Sequence, residues 1–185
     1  MKRVLCLITF FLIFTGSAFS QWEAMKYLDE FDDTEYWNVK NKSPLSYSED
    51  GQQYLTIGFD QNTMWLLFRL GTYIGTVDSR HVVPIRFRFD KNEVESEFWE
   101  YESGRDIVFV PNYPSEMKYQ FIYKMLAANQ LLFEATKYNY AKVTAKYSLI
   151  GFKESLAEAF GVPLDGVAEQ ITTREKYEND HPIGK

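Results

Sequence analysis

Residues that could carry out nucleophilic or acid–base chemistry are few in this 185-residue sequence. It contains two histidines, His81 and His181, and a single cysteine, Cys6. A serine nucleophile needs a histidine held beside it as a base, and no serine stands in the G-x-S-x-G pattern of a nucleophile elbow. His81 precedes a predicted strand, and His181 lies in a polar C-terminal segment. We therefore expect neither histidine to act as a catalytic base.

Carboxylates are the abundant reactive group. The acidic run at residues 29–33 could offer oxygen ligands to a hard cation, but it lacks the glycine and the twelfth-position glutamate of an EF-hand loop. Glu93, Glu95 and Glu97 alternate along a predicted strand and could place carboxylates on one face for acid–base work. A solvated loop and paired strand residues explain both patterns more simply. The sequence thus predicts no catalytic residue, no metal ligand and no cofactor.

The charge balance argues against a nucleic-acid partner. There are 20 basic and 26 acidic residues, which give a net charge of −6, whereas a surface that follows phosphates needs an excess of lysine and arginine. Gly71 and Gly75 do not fit the G-x-x-x-x-G-K-[ST] phosphate loop either. We expect a partner other than nucleic acid.

The first twenty residues predict an export signal. An uncharged apolar run covers residues 4–14, and small residues stand at Ala18 and Ser20, so cleavage is expected just before Gln21. The run is shorter than the ~20 residues that span a bilayer. We therefore predict a soluble product without a membrane span and with a net charge of −8, periplasmic in a Gram-negative host and secreted otherwise. The sequon Asn41-Lys42-Ser43 would matter only in a eukaryotic secretory pathway.

Period-two alternation predicts that strands dominate the exported chain. The clearest case is a hairpin of residues 85–89 and 94–98 around a two-residue turn at Lys91-Asn92. One register places the apolar side chains on one face and forms two cross-strand ion pairs on the other, Arg86 with Glu97 and Arg88 with Glu95. Further strands are predicted at residues 36–40, 54–59, 64–70, 73–77, 106–110, 131–136 and 142–149.

Two segments change to a helical period. One helix begins near Ser115, and a second covers residues 152–160 and stops before a glycine. The polar residues 165–185 show no clear apolar stripe and are predicted to form a mobile tail. Residues 21–164 then form one mainly β domain, an antiparallel sandwich or open barrel of about eight strands with one or two packed helices.

Aromatic residues suggest a surface that binds a partner. Thirteen tyrosines and four tryptophans exceed what a core of this size needs, and such rings are frequent at protein interfaces. The best candidates lie on the second strand of the predicted hairpin and just after it. We predict a partner surface formed by Trp99, Tyr101, Glu95 and Glu97.

Short blocks scattered over residues 37–160 share a pattern with a known family. The blocks are Trp37-Asn38-Val39, Ser43-Pro44-Leu45, Tyr54-Leu55-Thr56-Ile57, Leu66-Leu67-Phe68-Arg69, Phe98-Trp99 and Ser148-Leu149-Ile150-Gly151-Phe152. They resemble the VasI-like proteins associated with type VI secretion. The resemblance implies a small exported β-rich accessory protein without established catalytic residues. Leu70 stands where the family pattern commonly has a cysteine, which leaves open a role in another assembly, including one carried by a phage.

These observations favour a non-enzymatic exported protein that binds a protein partner of the cell envelope or of a secretion or phage-type assembly. A second hypothesis is an inhibitor or immunity-type protein that acts on a cell-wall hydrolase, since an acidic chain would be steered towards a basic enzyme. A third and weaker hypothesis is a glycan hydrolase that uses carboxylates, which would need two acidic side chains facing each other across a groove.

Overall fold

The computed structural model describes residues 21–28, 34–41, 47–48, 51–74, 82–101, 106–111 and 115–182. The strands are β1 (Trp22–Leu28), β2 (Glu35–Asn41), β3 (Tyr47–Ser48), β4 (Gly51–Gln52), β5 (Tyr54–Phe59), β6 (Met64–Arg69), β7 (Val82–Phe89), β8 (Glu95–Glu100), β9 (Ile107–Phe109), β10 (Gln130–Thr136) and β11 (Lys142–Ser148). The helices are α1 (Ser115–Ala127), α2 (Phe152–Phe160) and α3 (Val167–Asp180), with a 3-10 turn at Leu164–Gly166. The predicted leader, the acidic run and His81 lie outside the described residues.

Two antiparallel sheets make up most of the domain. One has the strand order β1-β2-β5-β6-β9 and the other β11-β10-β7-β8, while β3 and β4 pair in a separate two-stranded ribbon. In the part of the chain that the structure describes, nine strands thus form the two sheets and three helices pack against them. The prediction of a mainly β antiparallel sandwich is confirmed.

The inward faces of the two sheets meet in an aromatic cluster. Phe68 from β6 stacks on Phe133 from β10 with ring centroids 4.1 Å apart. Trp99 and Tyr147 lie 5.8 and 5.7 Å from the same phenylalanine ring. All four side chains are almost completely buried, and each buried phenylalanine contributes about 1.5–3 kcal/mol by leaving water. Phe68, Phe133 and Tyr147 lie on strands that the period-two pattern predicts, whereas Trp99 is predicted on the partner surface and is instead buried here.

The hairpin of β7 and β8 forms, but its predicted register is wrong by one residue. Phe87 lies opposite Glu95 and shares an inward face with it. The slip turns Phe98 outward, where it is 65% exposed, and buries Trp99 completely. Trp99 carries a larger apolar ring system into the core than Phe98 would, and this favours the observed register.

The two predicted arginine–glutamate pairs across the hairpin are therefore not formed. Arg86 instead makes an ion pair of 3.2 Å with Glu134 on β10. The turn is also longer than the predicted two-residue turn, because β7 ends at Phe89 and β8 begins only at Glu95. Asp90 has a φ of +51°, so it has left the strand conformation. Oδ1 of Asp90 accepts hydrogen bonds from the backbone N–H groups of Asn129 and Gln130 at 3.1 and 2.9 Å. The turn is thus fixed by contacts from a distant part of the chain.

The two predicted helices are confirmed. On α1, Phe121 packs against Phe87 and Trp99 with ring centroids 5.0 and 5.5 Å apart. Helix α2 ends at Gly161, which has a φ of +67° that a glycine adopts without strain. Within the residues that can be described, no helix combines the length and apolarity needed to cross a bilayer.

The prediction of a mobile C-terminal tail is wrong, because residues 167–180 form α3 and dock on the domain. Val167, Ile171 and Arg174 lie on one side of the helix and are buried. The Arg174 guanidinium lies over the ring of Phe160 at 4.7 Å and donates hydrogen bonds to the carbonyl oxygen of Asp60 at 3.1 and 3.2 Å. Because one of the three buried positions is an arginine, the sequence of this helix shows no continuous apolar stripe.

A buried ion pair holds the other end of α3. Nζ of Lys118 on α1 lies 2.6 Å from Oε2 of Glu178 and also donates to the carbonyl oxygen of Met64. Oε1 of Glu178 accepts hydrogen bonds from the Tyr119 hydroxyl and the Met64 backbone N–H, both at 2.8 Å. Burial lowers the pKa of Lys118 and raises that of Tyr119. Glu178 opposes the effect on Lys118 and reinforces the effect on Tyr119.

Candidate interaction surface

The predicted partner surface at Trp99 and Tyr101 is wrong because both rings are in the core. Trp99 is fully buried, and Tyr101 is only 6% exposed. Trp99 packs against Phe133 at 5.6 Å, and Tyr101 forms a backbone bridge with Val108 of β9. Neither ring is available to a partner in this fold.

Glu95 and Glu97 line a small pocket between β8 and α1. Nζ of Lys124 lies 2.6 Å from Glu95, and the indole N–H of Trp99 donates to Glu97 at 2.5 Å. The pocket has a volume of about 60 Å³, whereas pockets for small molecules measure ~300–1,000 Å³. The carboxylates are held by their own neighbours, so this geometry gives no support to glycan hydrolysis at the pair.

Two further groups singled out from the sequence have structural contacts. His181 lies at the exposed end of α3, where its ring stacks on Tyr177 with centroids 4.3 Å apart. Asn41 of the sequon is completely buried, and its Nδ2 donates to the carbonyl oxygen of Ser148 at 3.2 Å. A glycan on Asn41 would have to displace that contact. Across the described ranges, no group of three or more His, Cys, Asp or Glu side chains is arranged to hold a metal ion.

The outward side of the five-stranded sheet carries the aromatic rings that the core does not use. We call this surface the aromatic face and define it by Tyr27, Tyr36, Tyr54, Trp65, Leu67 and Phe109. The strands place these side chains there because their neighbours point inward, as Met64 and Leu66 do on either side of Trp65. Tyr27 is 47% exposed, and the other members are half-buried.

Trp65 is held in one orientation by a glycine on the neighbouring strand. Gly58 pairs directly with Trp65, and a Cβ at Gly58 would lie only 2.0–2.4 Å from three atoms of the indole. One face of the indole therefore covers the Gly58 backbone, and a larger residue at that position would displace the ring. Tyr36 approaches Trp65 at a centroid distance of 6.1 Å. Trp65 thus presents a ring whose position is fixed before any partner arrives.

The charged side chains within this face already interact with neighbouring residues. Nζ of Lys40 lies 3.6 Å from the ring centroid of Tyr54, within the range of a cation–π contact. Burial lowers the pKa of Lys40, and the nearby Arg69 lowers it further, while Glu23 opposes both effects. Arg69 in turn forms an ion pair of 3.0 Å with Asp106. The cations therefore lie beside the rings without making the surface strongly charged.

An apolar strip extends the aromatic face to the edge of the sheet. Leu67 on β6 pairs with Thr56 on one side and with Phe109 of β9 on the other. With strands about 4.8 Å apart, a row of this kind across five strands spans about 19 Å. The side chains lie side by side along a sheet, an arrangement that suits a protein surface better than a small molecule.

The sequence predicts β2, β5, β6 and β9, but it predicts neither β1, which carries Tyr27, nor this surface. The alternation around residues 54–59 and 64–69 shows which residues share a face, and aromatic residues on both faces leave open which face is buried. Trp65 itself is a signal of this surface. Outward positions of a strand are usually polar, so a tryptophan between two inward residues indicates an outward surface with a binding role.

Comparison of the chain with protein-family models, with curated proteins and with solved structures finds no match. The resemblance to VasI-like proteins therefore stays a prediction. The aromatic face is interpreted from its own geometry and chemistry.

Proposed function

We propose that this chain is an exported accessory protein that binds a partner protein through the aromatic face. The observation that carries the proposal is the grouping of Tyr27, Tyr36, Tyr54, Trp65 and Phe109 on one outward sheet face. Tyrosine, tryptophan and phenylalanine are enriched at interfaces, and tryptophan and tyrosine are, with arginine, the residues that most often dominate binding energy.

The orientation of Trp65 favours binding energetically. Its indole is fixed against Gly58, so little side-chain freedom is lost when a partner covers it. Rings that are already half-buried also need only modest further coverage to leave water. A few such anchors, each worth ~2 kcal/mol or more, are enough to carry a specific interface.

We infer the class of partner from the predicted leader and from the resemblance to VasI-like proteins. A chain that is exported meets proteins of the cell envelope, and VasI-like proteins are associated with a secretion assembly. A phage-type assembly is the other setting that the sequence allows. We therefore propose an envelope protein or an assembled machine of this kind as the partner.

One observation favours the inhibitor or immunity hypothesis as a second candidate. The chain has 26 acidic against 20 basic residues, and such an imbalance accelerates encounters with a basic partner such as a cell-wall hydrolase. Inhibition of a basic peptidoglycan hydrolase that weakens with added salt would favour this candidate. Turnover of a glycan by the purified protein, abolished by one Asp or Glu substitution, would instead favour the hydrolase hypothesis.

The main proposal is tested by capture from an envelope extract with matched variants. Trp65→Ala and Phe109→Ala remove rings from the aromatic face, and Tyr138→Ala removes a ring that is 51% exposed elsewhere. We expect one set of captured proteins to fall about tenfold or more with the first two variants and to stay with the third. Melting curves establish that each variant is folded.

Two results would count against the aromatic face as a protein-binding surface. One is equal capture by all three folded variants. The other is binding of an isolated cell-wall polysaccharide, lost in Trp65→Ala, without capture of any protein.

A further inference from the structure

A second surface lies on the outward side of the four-stranded sheet. An open groove of about 260 Å³ runs over this face, lined by Arg86, Arg88, Val94, Leu132, Glu134 and Thr144. Its walls come from β7, β10 and β11, with Val94 contributed by the residues before β8. The groove faces away from the core cluster and belongs to the sheet opposite the aromatic face.

The two arginines of the groove differ in their contacts. Arg86 forms an ion pair with Glu134, which Lys142 also approaches at 3.0 Å. Nε of Arg88 is buried and has no hydrogen-bond partner among the residues that the structure describes. A buried donor without a partner costs free energy, and a donor of this kind calls for an explanation such as a bound water or ion. Arg88 lines the groove and, unlike Arg86, forms no ion pair with a described residue, so its guanidinium is the cation there that an outside carboxylate would neutralise.

Apolar side chains stand beside the arginines. Val94 is 47% exposed and Phe98 on β8 is 65% exposed, and Leu132 lies half-buried in the same groove. The outward residues of β11 add Lys142 and Lys146 at the other side of the face. The surface thus combines cations with apolar contacts, against the acidic sign of the chain as a whole.

We infer that this groove binds an acidic segment of a partner protein, with a carboxylate of the segment on Arg88 and an adjacent apolar side chain on Val94 and Leu132. A guanidinium presents its N–H groups in a fork that fits a carboxylate. A peptide supplies the carboxylate and the apolar group together. A sulfated polysaccharide or a nucleic acid fits less well, because Glu134 in the groove repels a continuous row of negative charges.

The inference is independent of the proposed function, since it concerns the other sheet. An accessory protein with both surfaces could hold two partners at once, one against each outward face. Loss of binding at one surface would leave the other surface intact, so the two proposals fail or succeed separately.

The probe is an acetylated and amidated hexapeptide of three Glu-Phe repeats, titrated into the purified protein and followed by amide chemical shifts. We expect shifts to concentrate at Arg88, Leu132 and Thr144, and the affinity to fall as salt is added. Arg88→Gln should weaken binding about tenfold or more. Glu134→Gln should strengthen it several-fold, because it removes the carboxylate that occupies Arg86 and competes with the probe.

Matched controls distinguish binding in this groove from non-specific attraction of an acidic peptide to any basic residue. Arg69→Gln removes an arginine beside the aromatic face and should leave the affinity unchanged, and the Lys-Phe version of the probe should not bind. The inference is overturned if Arg88→Gln binds the probe as well as the original protein does. It is also overturned if heparin binds the groove more tightly than the peptide, or if the probe causes no shifts there.

Discussion

The seam between the two sheets and the seam under α3 are both buried, yet they are built from different chemistry. Between the sheets, Phe68 stacks on Phe133 and the contacts are those of hydrocarbon rings. Under α3, the buried groups include Lys118, Glu178 and Arg174, each with hydrogen bonds that occupy its polar atoms. The seam between the sheets is stabilised mainly by removing apolar surface from water. The seam under α3 depends on hydrogen bonds to polar groups that burial has removed from water.

The difference separates stability from specificity. Apolar rings tolerate small shifts, because any close packing of similar volume recovers most of their transfer energy. A buried ion pair gains little net free energy, but misplacing one partner leaves a charge without compensation. We therefore expect the rings to supply most of the free energy of folding and the Lys118–Glu178 pair to determine how α3 docks.

Removing a ring from the sheet–sheet seam should have the largest effect. Phe68→Ala creates a cavity beneath four aromatic neighbours, so we expect a loss of about 4 kcal/mol in the free energy of unfolding, measured with urea. Phe98→Ala is the matched control, since its ring is 65% exposed, and should change stability by about 0.5 kcal/mol or less. Equal losses in the two variants would contradict both the assignment of the core and the register of β7 and β8.

Breaking the ion pair under α3 should come next. Glu178→Gln retains the shape of the side chain but leaves the Lys118 ammonium without its counter-charge, so we expect a loss of about 3 kcal/mol. The double variant Lys118→Met with Glu178→Gln should recover most of that loss, because no buried ammonium is then left without its counter-charge. Hydrogen exchange should show the effect first in residues 167–180. A single variant as stable as the original protein would mean that this seam does not depend on the pair.

The same contrast explains which elements could be predicted from the sequence. A strand such as β11 alternates strictly because every second side chain enters an apolar seam. Helix α3 meets the domain through only three buried side chains, one of them Arg174. Its hydrogen bonds to β6 and α1 use Glu178, Thr172 and Glu175, whose partners are far away in sequence. A polar seam leaves no periodic signal, so the segment was predicted as a tail.

The predictions of the hairpin register and of the partner surface were wrong for a related reason. Glu95 and Glu97 face inward at the margin of the sheet, where Lys124 and the Trp99 indole N–H satisfy them. The alternation of charged residues therefore indicates the wrong side of β8 as the exposed one. Trp99 lies on that side, so the sequence predicts it to be exposed. The aromatic face depends on which side of each strand meets the other sheet, and that is decided by packing across the whole domain.

A polar atom without a partner inside the apolar seam gives a smaller test. Tyr147 is buried, its hydroxyl has no hydrogen-bond partner in the described part of the chain, and burial raises its pKa above the usual value of 10.0. The folded protein then keeps this proton above pH 10 while the unfolded chain releases it, so stability falls as pH rises. Tyr147→Phe removes a buried donor that has no partner, so it should be more stable than the original protein by about 1 kcal/mol at pH 7, and this difference should grow by about 1.4 kcal/mol at pH 11. A constant difference between the two proteins from pH 7 to pH 11 would contradict the burial of this hydroxyl.

The smallest effect is expected where an ion pair faces solvent, which completes the comparison with the buried pair. Glu134 joins Arg86 and Lys142 on an outward sheet face, with the two cations about half exposed. Water and salt screen such contacts, so Glu134→Gln should cost only about 0.5 kcal/mol, and 1 M salt should remove most of that difference. The effect of Glu178→Gln should persist in the same salt, because that pair is shielded from solvent ions. Urea titrations of both variants at low and high salt would test this, and a salt-independent loss of several kcal/mol in Glu134→Gln would show that burial does not distinguish the two pairs.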